Sequence, residues 1–282
     1  MRTIGVSAKL HDARAESLAL ELIDWLRGQG HDVLVDDTVP GFGDLPLAEM
    51  PTRVDLMVVL GGDGTLLHVA RRFIGHDTPI LGINLGRLGF LTEAAAGSMR
   101  EAVARVLDGS AKIKTHFSLQ AQAWRDGQAL ESGYAINDVV LQRNDHPRMI
   151  EFEMHARGHF VFRLRADGLV LATPAGSTAY ALSAGGPIVH PDLAAISVVP
   201  ICPHILSNRP VVLPATDAIE LRLIDSPAPA ALNLDGQVHH ELCAGDCIQV
   251  QRAGTVSLAY LPERHYFEVL RSKLLWAGHA GE

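Results

Sequence analysis

Cysteine is scarce in this sequence: three residues in 282, an odd number that argues against a disulfide framework. Cys243 and Cys247 stand four apart with no second Cys or His pair beside them, so no zinc spacing is present. No apolar run approaches the roughly 18–20 residues that a membrane helix requires, and no membrane partner is expected. The opening stretch MRTIGVSAKLHD lacks an apolar segment followed by a small-residue cleavage site, so no signal peptide is read. Together these absences predict a cytoplasmic protein. Positive charge is scarce as well. The net charge is −8 and no long basic run occurs, which excludes a nucleic-acid scaffold or an anionic membrane surface as partner. An anionic small ligand stays open where local arginines or a divalent cation offset the global charge.

Several well-known catalytic patterns are also missing. The 14 histidines show no H-E-x-x-H spacing, and no G-x-S-x-G elbow supports a serine hydrolase. A Walker loop needs Lys-Ser/Thr after its glycines, but Gly64 is followed by Thr65-Leu66. The dinucleotide fingerprint G-x-G-x-x-G fails too, because starting it on Gly62 and Gly64 puts Leu67 third.

What is present is a globular composition, 48% hydrophobic and 20% charged, in a chain long enough for one or two domains. The first 110 residues or so alternate strand-like and helix-like patterns, the mark of an α/β layer with parallel strands. TIGVSA, DVLVD, VDLMVVL and PILGIN read as strands. Residues 13–28 place Leu18, Leu22, Ile23, Trp25 and Leu26 on one helical side. Ser98 and Glu101 form a capping box opening a helix over 99–108. After Lys112 the rhythm changes to short period-two runs such as KTHFSLQAQAW, AINDVVLQR, MIEFEMHA and HFVFRLRADG. The expected organisation is an α/β domain over 1–112, rejoined by a closing segment of about 264–282, and an all-β, sandwich-like domain over 113–263.

Within the first domain, MVVLGGDGTLL runs from a buried strand through Gly61, Gly62, Asp63 and Gly64 into a helix. Glycines let a backbone approach a ligand closely, and a helix start after a strand is a natural phosphate site. A lone carboxylate there repels phosphate unless it has chemistry to perform or a metal to hold. In AINDVVLQ, adjacent Asn137 and Asp138 interrupt an apolar strand, so one of them faces a core or a ligand. TPAGSTAY delivers a second Gly/Ser/Thr-rich turn into a short helix, and LNLDGQV reads as an Asp-Gly hairpin. GINLGRLGFLTE is a long glycine-bearing turn after a strand, suited to line the first loop's ligand.

Taken together, GGDGT (61–65), GINLGRLGFLTE, AINDVV, DGLVLATPAGSTAYALSAGGP and DGQ (235–237) resemble the NAD kinase family, in the family's order and across most of the chain. GGDGT alone is shared with diacylglycerol-type lipid kinases; TPAGSTAYALSAGGP is the specific piece. Asp138 stands where many members carry Glu, and Ala175 where Thr is frequent. The resemblance implies phosphoryl transfer from ATP to the 2′-hydroxyl of the adenosine ribose of NAD, giving NADP, with NAD bound between the two domains. It implies Asp63 as the catalytic base and Gly61, Gly62, Gly64 and Thr65 as the phosphate loop, with Mg²⁺ screening the phosphates. NAD contacts are implied for Asp63, Gly64, His68, Asn137, Asp138, Arg148, Arg165, Asp167 and Ala175. They extend to Thr178, Ala179, Tyr180, Ala181, Leu182, Ser183 and Gln237. A homodimer or homotetramer built through the β domain is implied as well. The rival expectations are a lipid kinase sharing the GGDG loop and a regulatory module that binds nucleotide without catalysis.

Overall fold

The computed structural model of the protein describes residues 1–37, 39, 43–86, 89–205, 207–263 and 265–276. Two segments read above reach beyond that set: GINLGRLGFLTE contains 87 and 88, and the closing segment contains 264 and 277–282. The chain divides into two units, Met1–Thr115 with Val256–Glu282, and His116–Thr255.

In the first unit the apolar runs become parallel strands, side by side in the order Asp32–Val35, Thr3–Ala8, Leu56–Gly61 and Ile80–Asn84. Leu56–Gly61 is buried along its whole length. A strand covered on both faces needs a continuous apolar run instead of an alternating one, and LMVVLG supplies it. The helix Ala13–Gly28 connects the first strand to the edge strand, and Asp12 caps it by accepting from the N–H groups of Arg14 and Ala15. Its buried stripe of Ala15, Ala19, Leu22, Ile23 and Leu26 joins Ile4, Val6, Val58 and Leu60 in one core. From Thr3–Ala8 the chain moves to one neighbour, Asp32–Val35, and afterwards to the other, Leu56–Gly61. Strand order therefore reverses between these two, and such a switch leaves a crevice at the strands' carboxyl ends. Lys9 and Gly61-Gly62 lie at those ends. The long strand Cys247–Tyr260 ends in this unit with Leu258 opposite Ile80, and the helix Tyr266–Leu274 follows.

One local expectation fails. Ser98 precedes the helix Met99–Leu107, but its hydroxyl donates to the Ala95 carbonyl and caps nothing. A single 3-10 turn over Ala96–Ser98 holds Ser98 at ψ 12°, outside the extended conformation a capping side chain needs.

The second unit packs two antiparallel sheets. One runs Val211–Pro214, Ala195–Ile201, Gly168–Ala172, Asp138–Arg143, Ala230–Leu234, Val238–Leu242; the other includes His159–Ala166, Ile150–Ala156 and Ile219–Asp225. Alternate residues of both, among them Val139, Leu141, Leu169, Leu171, Phe152, Met154 and Leu221, meet in a single core. Period two turns Asp138, Val140 and Val170 to the opposite face. There Val140 and Val170 pack with Ala172, Val199 and Ala181 of the short helix Tyr180–Ser183.

Candidate functional site

The crevice of the first unit is a cleft of 620 Å³ lined by the glycine loop, by Asn84, Gly86 and Gly89, and by Lys9, Arg14 and Lys273. Asp63 opens the helix Asp63–Ala70, with Gly62 in the cap position. Its Oδ1 accepts from the N–H of Leu91 at 3.2 Å, the N–H of Thr92 at 2.9 Å and the Thr92 hydroxyl at 3.0 Å. Its Oδ2 accepts from the N–H of Phe90 at 2.7 Å. The lone carboxylate is therefore a fastener: the loop after Ile80–Asn84 closes its amides around it. Gly89 makes the approach feasible, because a Cβ there would lie 1.9 Å from Asp63 Oδ1. The Thr92 hydroxyl, while donating to Asp63, receives Asn84 Nδ2 and the Gly89 N–H, each at 2.9 Å. Charge-assisted bonds of this kind are short and strong, and they fix the carboxylate's direction. His68 does not line the cleft. Partial desolvation, with Arg71 and Arg72 adding repulsion, lowers its pKa.

A second pocket, of 290 Å³, lies in the other unit and is lined by Asn137, Asp138, Ala179, Tyr180, Asn233, Asp235, Gly236 and His239, among others. AINDVVLQR is not one strand. Gln128–Ala135 and Asp138–Arg143 are separate, and Ile136-Asn137 forms the corner between them. The corner is pinned by Asp235, whose carboxylate accepts from the N–H groups of Ile136, Asn137 and Asp138 at 3.0, 2.7 and 3.2 Å. Asp235 can reach them because it and Gly236 both take positive φ, the signature of the expected Asp-Gly turn, closed by Gln237 N–H to the Leu234 carbonyl. Asn137 Oδ1 is buried with no hydrogen-bond partner among the described residues. Asp138 is 5% exposed. Burial first, and Asp235 second, push its pKa up to about 7, against a hydrogen bond from the Tyr180 backbone. An orphaned carbonyl oxygen and an uneasy carboxylate in one pocket are features that a polar ligand with N–H or O–H groups would satisfy.

The structure thus brings Asn137, Asp138, Ala179 and Tyr180 together. Ala181 is buried beneath them, Leu182 and Ser183 continue the same helix, and Ala175 and Thr178 belong to the preceding turn. Gln237 sits in the adjoining hairpin without lining the pocket, and Arg148, Arg165 and Asp167 do not line it either. The strand His159–Ala166 ends before Asp167, so Arg165 and Asp167 do not share one strand face. Arg165 is exposed opposite Glu151, while Asp167 is bound by Arg143 Nε at 2.6 Å. Sequence reading missed Lys9, Arg14, Lys273 and Thr92, and gave Asp235 no role beyond the turn. Thr92 lies in the quoted GINLGRLGFLTE run; no motif marks the three cations, which come from opposite ends of the chain.

Two family models match the chain: ATP-NAD kinase N-terminal domain over residues 45–111 and ATP-NAD kinase C-terminal domain over 136–259. An NAD kinase of Geobacter metallireducens is 42% identical over 280 residues, 98% of this chain and 99% of the relative. One from Thiobacillus denitrificans is 43% identical over 281 residues, 97% of each. Among solved structures, yeast NADH kinase complexed with NADH has a TM-score of 0.88 at 29% identity, covering 100% of this chain and 89% of its own. An NAD kinase from Archaeoglobus fulgidus in complex with ATP has a TM-score of 0.78 at 24% identity, covering 97% and 98%, a likeness of fold.

Proposed function

The chain belongs to the NAD kinase family and uses ATP to phosphorylate NAD, and on that premise we propose how its residues divide the work. The pocket at Asn137 and Asp138 holds the adenosine part of NAD: Asn137 Oδ1 and the Asp138 carboxylate accept from ribose or base, and Tyr180 offers a ring face. The glycine loop Gly61, Gly62, Gly64 and Thr65 presents backbone to the phosphates of ATP. Asp63 takes the proton of the attacking 2′-hydroxyl.

The fixed carboxylate of Asp63 carries this reading. Oδ1 is filled by three donors, whereas Oδ2 accepts one among the described residues and keeps a lone pair for an incoming hydroxyl. A base held in place needs no reorganisation when the proton moves. The transition state of phosphoryl transfer is loose, so holding the acceptor and neutralising charge contribute alongside proton removal.

A divalent cation, Mg²⁺, belongs to the proposal. Among the described residues no group of three His, Cys, Asp or Glu side chains forms a cage. That fits Mg²⁺, which is commonly held by one or two carboxylates and the substrate's phosphates. Asp12 and Asp63 line the cleft but already accept hydrogen bonds, so the substrate's phosphates and water would supply most of the ion's oxygens. When bound, the ion supplies neutralisation of phosphate charge. A cytoplasmic setting and assembly as a homodimer or homotetramer complete the reading. The first rests on composition and the second on the exposed edge strand Val211–Pro214.

The test is incubation with ATP, Mg²⁺ and NAD, followed by a coupled assay specific for NADP. NADP formation that needs both ATP and the metal is expected. Formation of a 3′-phosphorylated isomer would overturn the 2′-hydroxyl as acceptor, and an Asp63→Asn variant whose turnover falls by less than about threefold would overturn Asp63 as the base.

A further inference from the structure

We propose that the donor's triphosphate is held by three cations from separate elements of the first unit, Lys9, Arg14 and Lys273, and that Lys273 reaches the transferred phosphoryl group. This deepens the reading above and rests on the glycine-loop cleft being the donor site.

The chain carries a net charge of −8, yet Lys9, Arg14 and Lys273 all line this cleft. The cleft's two carboxylates are already engaged: Asp12 by the helix N–H groups and Lys9, and Asp63 by the Phe90–Thr92 segment. The balance left for a ligand is positive, as a polyphosphate requires. Each cation is suited to a different task. Arg14 Nη1 donates to the Leu85 carbonyl at 2.7 Å, which fixes the guanidinium while its remaining N–H groups keep their fork. Lys9 lies 3.1 Å from Asp12, with its side chain 55% exposed. An exposed ion pair is weak, so its ammonium can turn to an entering phosphate.

Lys273 sits in the last turn of Tyr266–Leu274, its Nζ 6.0 Å from the centroid of the Phe90 ring. The N–H of that same Phe90 fastens Asp63 Oδ2. The ammonium is therefore parked against the residue that positions the proposed base, in a contact at the outer limit of cation–π attraction. A phosphate is a far stronger partner than a ring at that distance. The helix is anchored by buried Leu270 and half-buried Tyr266, Val269 and Leu274, while Phe267 and, beyond its end, Leu275 and Trp276 are exposed.

The test is calorimetric binding of Mg²⁺-ATP and of AMP, without NAD, together with steady-state kinetics. Lys273→Met should weaken ATP about tenfold or more, the scale of one charged hydrogen bond, and leave AMP unchanged. It should also lower kcat with KM for NAD unaltered, and Lys273→Arg should recover most of both losses. Lys9→Met should raise KM for ATP with a smaller effect on kcat. Equal weakening of ATP and AMP would show a displaced helix and overturn the proposal. ATP binding abolished by Gly64→Glu but untouched by Lys273→Met would overturn it alone. Binding that survives both would remove the donor-site premise with it.

Discussion

Asp63 meets three amide hydrogens and one hydroxyl, and substitutions can separate fastening from proton transfer. Asp63→Asn keeps one acceptor oxygen but turns an amide NH₂ toward donors, so it disturbs the Phe90–Thr92 segment as well as removing the base. The expected loss in kcat is about 10²–10⁴-fold, the usual range for general acid–base catalysis, with KM for NAD largely kept. Thr92→Val deletes the hydroxyl bond and leaves the three amide bonds. Steady-state kinetics should show it losing far less than Asp63→Asn; equal losses would make Asp63 a fastener alone. Asp138 calls for a different measurement. Its pKa of about 7 lies above the ordinary 3.8, so between those values the folded chain keeps a proton that the unfolded chain has released. Its contribution to stability therefore declines as pH rises through that window and is level above it. If the ionised form accepts from NAD, KM for NAD should improve about tenfold from pH 6 to pH 8, following the ionised fraction. Asp138→Asn should flatten that profile. A slope that survives in the variant would assign the titration to another group.

At the scale of elements, the turn Gly176–Thr178 shows how closely the second pocket is assembled. A Cβ on Gly176 would lie 2.1 Å from the Asn137 carbonyl oxygen and 2.7 Å from its Cα, so the turn rests directly on the corner's backbone. Neither neighbour is a flexible side-chain end. Gly176→Ala should cost about 1–3 kcal/mol by overpacking and should raise KM for NAD, because relief requires the corner to move. Thermal unfolding with and without NAD would measure both; an unchanged melting temperature and unchanged KM would show a corner that adapts freely. The same corner marks how much was legible beforehand. The strand–glycine–helix run at 57–67 and the Asp235-Gly236 turn could be read because their residue types answer local backbone needs. The corner could not, since Ile136-Asn137 is held by a carboxylate 98 residues away. Two-residue spacing would put Arg165 and Asp167 on one face only while a strand continues, and this one stops at Ala166. The Ser98 capping box had the right residues, but a preceding 3-10 turn rotated the backbone away.

For the whole molecule, sequence pattern conveyed the α/β and all-β layers because each layer's period is written along the chain. It could not convey Lys9, Arg14 and Lys273, which become neighbours when the last helix joins the first strands' unit. Assembly beyond one chain is a property of the same order, and one edge offers a way to examine it. Val211–Pro214 closes one end of the six-stranded sheet, pairing with Ala195–Ile201 on one side. Val211 and Val212 are 38% and 47% exposed. Natural edge strands are usually blunted by charge, and an apolar edge left open invites pairing with another chain. Pairing the strand with its copy would satisfy the open backbone groups and bury both valines, giving the two-fold contact from which a homodimer or a homotetramer grows. Light scattering should therefore return two or four times the chain mass. Val212→Lys should shift it toward one while changing stability by no more than about 0.5 kcal/mol, as for other exposed sites. An unmodified protein of single-chain mass would overturn the assembly; a variant that keeps the multiple would move the contact to another surface.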